Sequence, residues 1–268
     1  MIAYDVAGAG PVLVLLHSTV ADRRMWDPQW PVLADAGFRV VRCDFRGFGE
    51  TPATLGPYSD ADDVLAVLGE LGAGTMALAG ASYGGKVALQ IAARFPERVT
   101  ALALICAGMP GHEPTETLRD FWQREEALLE AGDVAGATEL NVATFLGAEA
   151  SEATREQLRL MQRHAFDVQL AAEQEAGEAG EELAGGAGEA EEAVELSAVA
   201  APSLIVSGAR DLPDFRQIAA RLAGLLPAAR WTELHWAGHL PTLERPAELS
   251  ELLATFFSET IGPELLTR

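Results

Sequence analysis

Three residues of this chain have the types and the order for nucleophilic catalysis: Ser82 in Gly80-Ala81-Ser82-Tyr83-Gly84, Asp211 in Arg210-Asp211-Leu212, and His239 in Ala237-Gly238-His239-Leu240-Pro241. A serine hydroxyl is a poor nucleophile near neutral pH. It reacts when a base within hydrogen-bond reach takes its proton and a carboxylate orients that base. The pentapeptide alone is a weak signal, because glycine, alanine and serine are common. Its context supplies the specificity.

The apolar run Thr75 to Ala79 is short enough for a buried strand, and Lys86 to Arg94 puts Val87, Ala88, Ile91 and Ala92 on one helical face. Ser82 is therefore expected at the tip of a strand-to-helix turn. Small residues two before and two after it let strand and helix approach closely. Leu204 to Gly208 reads as another buried strand, with Asp211 after its turn, and Trp231 to Trp236 as a further strand leading to the small-residue loop that presents His239. Asp214, three residues beyond Asp211, is a rival carboxylate and reads as the cap of a helix running through Ile218 and Leu222. Further strands are expected near residues 12–17, 39–45 and 99–107, with Ile2 to Val6 at an edge. Strands alternating with helices favour a mostly parallel sheet covered on both faces.

With these segments in view, the chain resembles the α/β-hydrolases along almost its whole length. The order Ser82, Asp211, His239 is that family's order of nucleophile, acid and base. Val12-Leu13-Val14-Leu15-Leu16-His17 is similar to the strand leading into the family's oxyanion loop, and Cys43-Asp44-Phe45-Arg46-Gly47-Phe48-Gly49 to its D-x-R-G-x-G segment. Phe95 to Val99 resembles the end of the nucleophile helix, and Glu244-Arg245-Pro246 the region after the histidine. The resemblance implies a mostly parallel central sheet with helices on both faces and a helical cap insertion. It selects Asp211 over Asp214, and the family's alternative acid position reads Cys106-Ala107-Gly108, without a carboxylate. It also implies an oxyanion hole made by the backbone N–H groups of Thr19 and Tyr83, roughly 3 to 4 kcal/mol of transition-state stabilisation for one donor. His17 is followed by Ser18 where the family usually has glycine, so Ser18 is expected to offer a polar contact to substrate. His17 itself is expected to buttress the loop, and Asp44 and Arg46 to tie loops together beneath the site.

A serine at position 82 separates the chain from the haloalkane dehalogenases and epoxide hydrolases of the same fold, which use aspartate there. Hydrolysis of a carboxylic ester or lactone through an acyl-enzyme is the leading expectation. C–C bond hydrolases, cofactor-free haloperoxidases or perhydrolases, thioesterases and non-hydrolytic receptors, cyclases or lyases on the same scaffold stay open, since fold and triad do not separate them.

At 268 residues the chain suits one catalytic core, residues 1–110 and 197–268, interrupted by a helical cap at 111–196. Helices are expected over 116–131, with Leu118, Phe121, Trp122, Leu128 and Leu129, and over 154–170, with Leu158, Met161, Ala165 and Phe166. Candidate pocket residues are Trp26, Tyr83, Met109, Phe121, Trp122 and Phe166, besides Ser18, which point to a small, largely apolar substrate. Residues 173–192 are almost entirely Ala, Gly and Glu and are expected to form a solvated or mobile part of the cap. The net charge is −21, and residues 112–196 hold 21 acidic residues against 5 arginines. Nucleic acid and anionic membranes are thus poor partners, and a small molecule is the expected one. The insertion shows no hydrophobic seam demanding a dimer, which leaves the oligomeric state open. Two cysteines, Cys43 and Cys106, argue against a disulfide framework and read as reduced core thiols. His112, His164 and His235 lack metal-ligand spacing, so neither metal nor cofactor is expected. The N-terminus lacks signal-peptide character, and a cytoplasmic location is the default expectation. The single lysine, Lys86, among many arginines and alanines resembles the bias of a high-GC bacterial genome.

Overall fold

The computed structural model describes residues 1–54, 56–179 and 195–262. Seven strands among these residues make one sheet: β1 (Tyr4–Ala7), β2 (Val12–Leu16), β3 (Arg39–Cys43), β4 (Met76–Ala81), β5 (Val99–Ile105), β6 (Ser203–Gly208) and β7 (Ala229–Leu234). The spatial order is β1-β3-β2-β4-β5-β6-β7. β1 runs antiparallel to β3 and every other neighbouring pair is parallel. The helices are α1 (Gln29–Asp35), α2 (Asp60–Glu70), α3 (Tyr83–Arg94), α4 (Glu116–Glu130), α5 (Val134–Phe145), α6 (Glu152–Ala179), α7 (Pro213–Leu225), α8 (Pro241–Glu244) and α9 (Pro246–Ile261).

Strands buried on both faces read as continuous apolar runs, and successive side chains alternate between the two faces. Leu13 and Leu15 of β2 enter one core together with Ala77, Ala79, Ala101 and Ala103, closed by Leu33 of α1 and Leu253, Phe256 and Phe257 of α9. Val14 and Leu16 enter the other with Leu78, Leu102 and Leu104, closed by Val64 and Val67 of α2, Val87 and Ile91 of α3, and Ile218 and Leu222 of α7. Each buried branched side chain contributes on the order of 1.5–3 kcal/mol, so the alternation itself holds the helices on the two faces.

The chain winds from β2 outward to β3 and then crosses to β4 on the other side of β2. That reversal opens a crevice beyond the carboxyl ends of β2 and β4, where open α/β sheets place their ligands. The loops after β2, β4, β5, β6 and β7 all leave from this end, and they carry Thr19, Ser82, Met109, Asp211 and His239 respectively.

Between β5 and β6 the chain forms α4, α5 and α6. The first and third lie where the sequence pattern predicts helices, α6 being longer than expected. The helix α5 escapes the sequence pattern because its exposed stripe is Ala135, Glu139 and Ala143 while the polar Thr138 and Asn141 are buried with Ala137, Leu140, Val142 and Phe145, so polarity does not follow exposure and amphipathic periodicity is absent. Residues 173–179 of the Ala/Gly/Glu stretch belong to α6, and its remainder from 180 lies outside the described residues. No helix among the described residues is long and apolar enough to cross a membrane.

Candidate active site

Ser82 follows β4 directly and has φ 52° and ψ −117°, a left-handed backbone that costs a non-glycine residue on the order of 1–3 kcal/mol. Hydrogen bonds hold it there. Its N–H donates to the Ile105 carbonyl at 3.0 Å, and its own carbonyl accepts from Gly85, Lys86 and Gly108 at 2.9, 3.2 and 2.8 Å. The flanking glycines are steric requirements. A Cβ on Gly80 would fall inside the Gly84 peptide, and a Cβ on Gly84 would fall on the Leu16 and His17 carbonyl oxygens.

Asp211 and His239 are both buried, and Nδ1–H of His239 donates to Asp211 Oδ2 at 2.8 Å. The second carboxylate oxygen, Oδ1, accepts from the Leu212 N–H at 2.7 Å, so both oxygens are engaged and the carboxylate is oriented. The imidazole packs against two rings, Phe215 at 4.0 Å and Phe145 at 5.0 Å. Glu244 fixes the loop from behind by accepting the Gly238 N–H at 3.0 Å and the Leu240 N–H at 3.3 Å. Burial pushes the Glu244 carboxyl above its ordinary range, against these hydrogen bonds. Ser82 and His239 border the same cavity, with no hydrogen bond between their side chains among the described contacts. Such contacts are often loose without substrate.

The cavity has a volume of about 510 Å³. Thr19 and Tyr83 border it, as do Met109, Phe121, Trp122 and Phe166. Two expected lining residues do not. Ser18 is buried, and its hydroxyl accepts from the Val20 N–H at 3.4 Å within the loop. Trp26 closes a short 3₁₀ turn, Arg23–Trp26, that directs it into the core cluster that also holds Leu33 and Phe38. Residues the sequence did not signal also line the cavity: Phe145 and Asn141 from the missed α5, Phe215 from α7, Gln162 and Gln169 from α6, and Glu125 from α4. Lys86, one turn into α3, borders it too.

His17 supports the loop after β2 and does not line the cavity. Its Nδ1–H donates to the Ser18 carbonyl at 2.8 Å while Nε2 accepts the Phe45 N–H at 2.9 Å, which defines a neutral tautomer. Complete burial lowers its pKa, with the nearby Asp44 opposing. Its carbonyl accepts the Gly84 N–H at 3.1 Å, joining the loop that carries Thr19 to the start of α3. Asp44, buried, accepts from Arg23 and from the Glu50 N–H, and Arg46 forks onto Asp63.

Asp214 does not cap α7, whose N-cap is Leu212 without a side-chain bond. Its carboxylate accepts the Thr115 N–H at 2.7 Å, the Thr115 hydroxyl at 2.5 Å and His112 Nε2–H at 3.0 Å. These bonds hold its carboxyl below the ordinary range despite burial. The rival carboxylate therefore anchors the start of the inserted helices. Cys106, Asp211 and His239 bring three potential ligand atoms within 4.8 Å of one another. Burial, then the Asp211 charge, keeps the Cys106 thiol well above its ordinary range. Both cysteines are free and buried.

Residues 11–246 match the family model described as alpha/beta hydrolase fold. The chain belongs to the alpha/beta hydrolase fold family. The pimeloyl-[acyl-carrier protein] methyl ester esterase of Aeromonas hydrophila subsp. hydrophila is 31% identical to this hydrolase-fold chain over 258 residues, covering 93% of it and 96% of that protein. A thermophilic esterase from Thermogutta terrifontis superposes with a TM-score of 0.80 at 24% identity, covering 97% of this chain and 93% of the other. The enol-lactonase from Burkholderia xenovorans LB400 gives 0.77 at 23% identity, with 96% of each chain covered. These two likenesses are of fold. Family membership and the full-length esterase relative make this alpha/beta hydrolase fold protein an enzyme, a hydrolase.

Proposed function

We propose that this hydrolase cleaves a carboxylic ester or lactone of a small, largely apolar substrate through Ser82, His239 and Asp211. The observation that carries the reading is the Asp211–His239 pair at 2.8 Å, opening onto the same cavity as Ser82 in its strained turn. His239 Nε2 takes the Ser82 proton as Oγ attacks the carbonyl carbon, and Asp211 stabilises the imidazolium that forms. The backbone N–H groups of Thr19 and Tyr83 are the assigned donors to the oxyanion. Collapse breaks the bond to the alcohol oxygen, which leaves with the proton from His239. Water then gives a proton to His239, attacks the acyl-serine and releases the acid, and Ser82 regains its proton. The phenylalanines and Met109 on the cavity wall supply the apolar surface for the acyl or alcohol portion. In this reading α4 to α6, within residues 111–196, act as the cap, and no cofactor takes part.

Turnover of a panel of p-nitrophenyl esters and simple lactones by the wild type and by Ser82→Ala tests the proposal. Multiple turnover that falls by about 10⁴-fold or more in the variant is expected. Equal rates in the two proteins would overturn it.

A further inference from the structure

One wall of the cavity is polar, and it comes from the three inserted helices: Glu125 on α4, Asn141 on α5 and Gln162 on α6. Gln162 is 3% exposed, and its Oε1 has no hydrogen-bond partner among the described residues. A buried amide left in that state costs free energy that a ligand can return. The neighbouring polar groups do not relieve it. Asn141 donates to the Glu125 carboxylate and to the Ala137 carbonyl, so both its amide hydrogens are committed elsewhere. Among the described residues no donor reaches the other Glu125 oxygen, and burial pushes the Glu125 carboxyl up, against the Asn141 hydrogen bond.

A ligand group that fits this wall must donate to a carboxylate and pair with an amide. A hydroxyl does both. Its one hydrogen goes to the Glu125 carboxylate while its oxygen accepts from the Gln162 NH2, which the terminal torsion of glutamine brings round at little cost; with the amide as placed, the hydrogen goes to Gln162 Oε1 instead. An aliphatic group there would leave the buried Gln162 Oε1 unpaired and would displace solvent from the half-buried Glu125 carboxylate.

We propose that Gln162 and Glu125 select substrates whose portion remote from the scissile carbonyl carries a hydroxyl group, so that the enzyme prefers hydroxylated esters to their plain alkyl counterparts. This rests on the reading of Ser82 as the nucleophile of an ester hydrolase, and it adds the class of substrate. The apolar residues close to Ser82 take the methylenes, and the polar wall takes the hydroxyl.

The test compares methyl hexanoate and methyl octanoate with their ω-hydroxy counterparts, following acid release by pH-stat. For the wild type kcat/KM is expected to favour the hydroxy ester at one of the two lengths by about tenfold or more. That ratio should fall about tenfold in Gln162→Met, which keeps the unbranched shape and removes the amide, and in Glu125→Met, with folding of both variants checked by thermal melting. A second arm uses Ser82→Ala and calorimetry with the same four esters, so that recognition is read without turnover. Tighter binding of a hydroxy ester, lost when Gln162→Met is added, supports the proposal even if the wild type hydrolyses none of the four, an outcome that would count against ester hydrolysis instead. Equal ratios in wild type and variants, or equal affinities for plain and hydroxy esters, would overturn hydroxyl selection and leave the hydrolase reading intact.

Discussion

Phe145 holds His239 twice: its carbonyl oxygen accepts the His239 backbone N–H at 3.1 Å, and its ring lies 5.0 Å from the imidazole. One residue at the end of α5 thus ties the inserted helices to the proposed base. The placement of His239 depends on a segment outside the sheet as well as on the strand before it. Removing the ring while keeping the backbone bond separates the two contacts. Phe145→Ala is expected to lower stability by about 3–5 kcal/mol through the cavity it leaves and kcat by about tenfold. Phe145→Leu should recover most of the stability, and urea unfolding with ester kinetics on the two variants checks both effects.

The two carboxylates on either side of the start of α7 are assigned opposite duties. Asp211→Asn is expected to lower kcat by about 10⁴-fold, because an amide no longer stabilises the imidazolium or selects the tautomer with the proton on Nδ1. Asp214→Asn should leave kcat within about tenfold and lower stability by about 1–3 kcal/mol, since it weakens the bonds to Thr115 and His112. Steady-state kinetics and thermal melts on the pair would reveal a reversed assignment.

Steric demand separates the glycines around the serine. Gly84→Ala drives a methyl group into the Leu16 and His17 carbonyls, whereas Gly108→Ala meets its nearest atom, the Ser82 carbonyl oxygen, at an ordinary 3.5 Å. The first is expected to cost more than about 3 kcal/mol or to prevent soluble expression, the second less than about 1 kcal/mol. Urea midpoints for the two variants give the comparison.

Buried neutral His17 makes stability depend on pH with a defined sign. Its folded pKa is lowered by burial, so between that value and the unfolded value of about 6.5 the unfolded chain binds the extra proton. Its contribution is fully present above about pH 6.5 and is lost as pH falls through the window, by up to about 1.4 kcal/mol per pH unit. His17→Asn is expected to be less stable at pH 8 and to lose less on acidification from pH 7 to pH 5. Parallel pH dependences for the two proteins would remove His17 from this role.

The serine turn was legible because its chemistry and its sterics coincide. Gly80 and Gly84 are where a strand and a helix cross too closely for a Cβ, so the pattern that marks the proposed nucleophile also marks the fold. Asp211 and His239 were legible because each follows an apolar strand, and a residue just beyond a strand's carboxyl end has little freedom in where it lies. The cavity wall was less legible. Trp26 and Ser18 have suitable side chains, but a 3₁₀ turn and a local hydrogen bond direct them inward, and neither leaves a periodic trace. The helix α5 hid Asn141 and Phe145, since a helix that exposes alanines and buries polar residues loses the alternation that would reveal it. Asp214 had the composition of a cap, and only its long-range bonds to Thr115 and His112 disclose another duty.

The placement of Ser82 before the inserted helices, and of Asp211 and His239 after them, also orders events during synthesis. The turn around Ser82 has its supports, β2, β4 and β5, as soon as the first part of the chain is made. The oriented imidazole exists only when β7 has docked on β6 and α5 has met the following loop. A nascent or truncated chain therefore displays a strained serine with no base beside it. Reactivity arrives with the last long-range contacts, and a covalent serine probe added during refolding would report completion of the fold rather than formation of its centre.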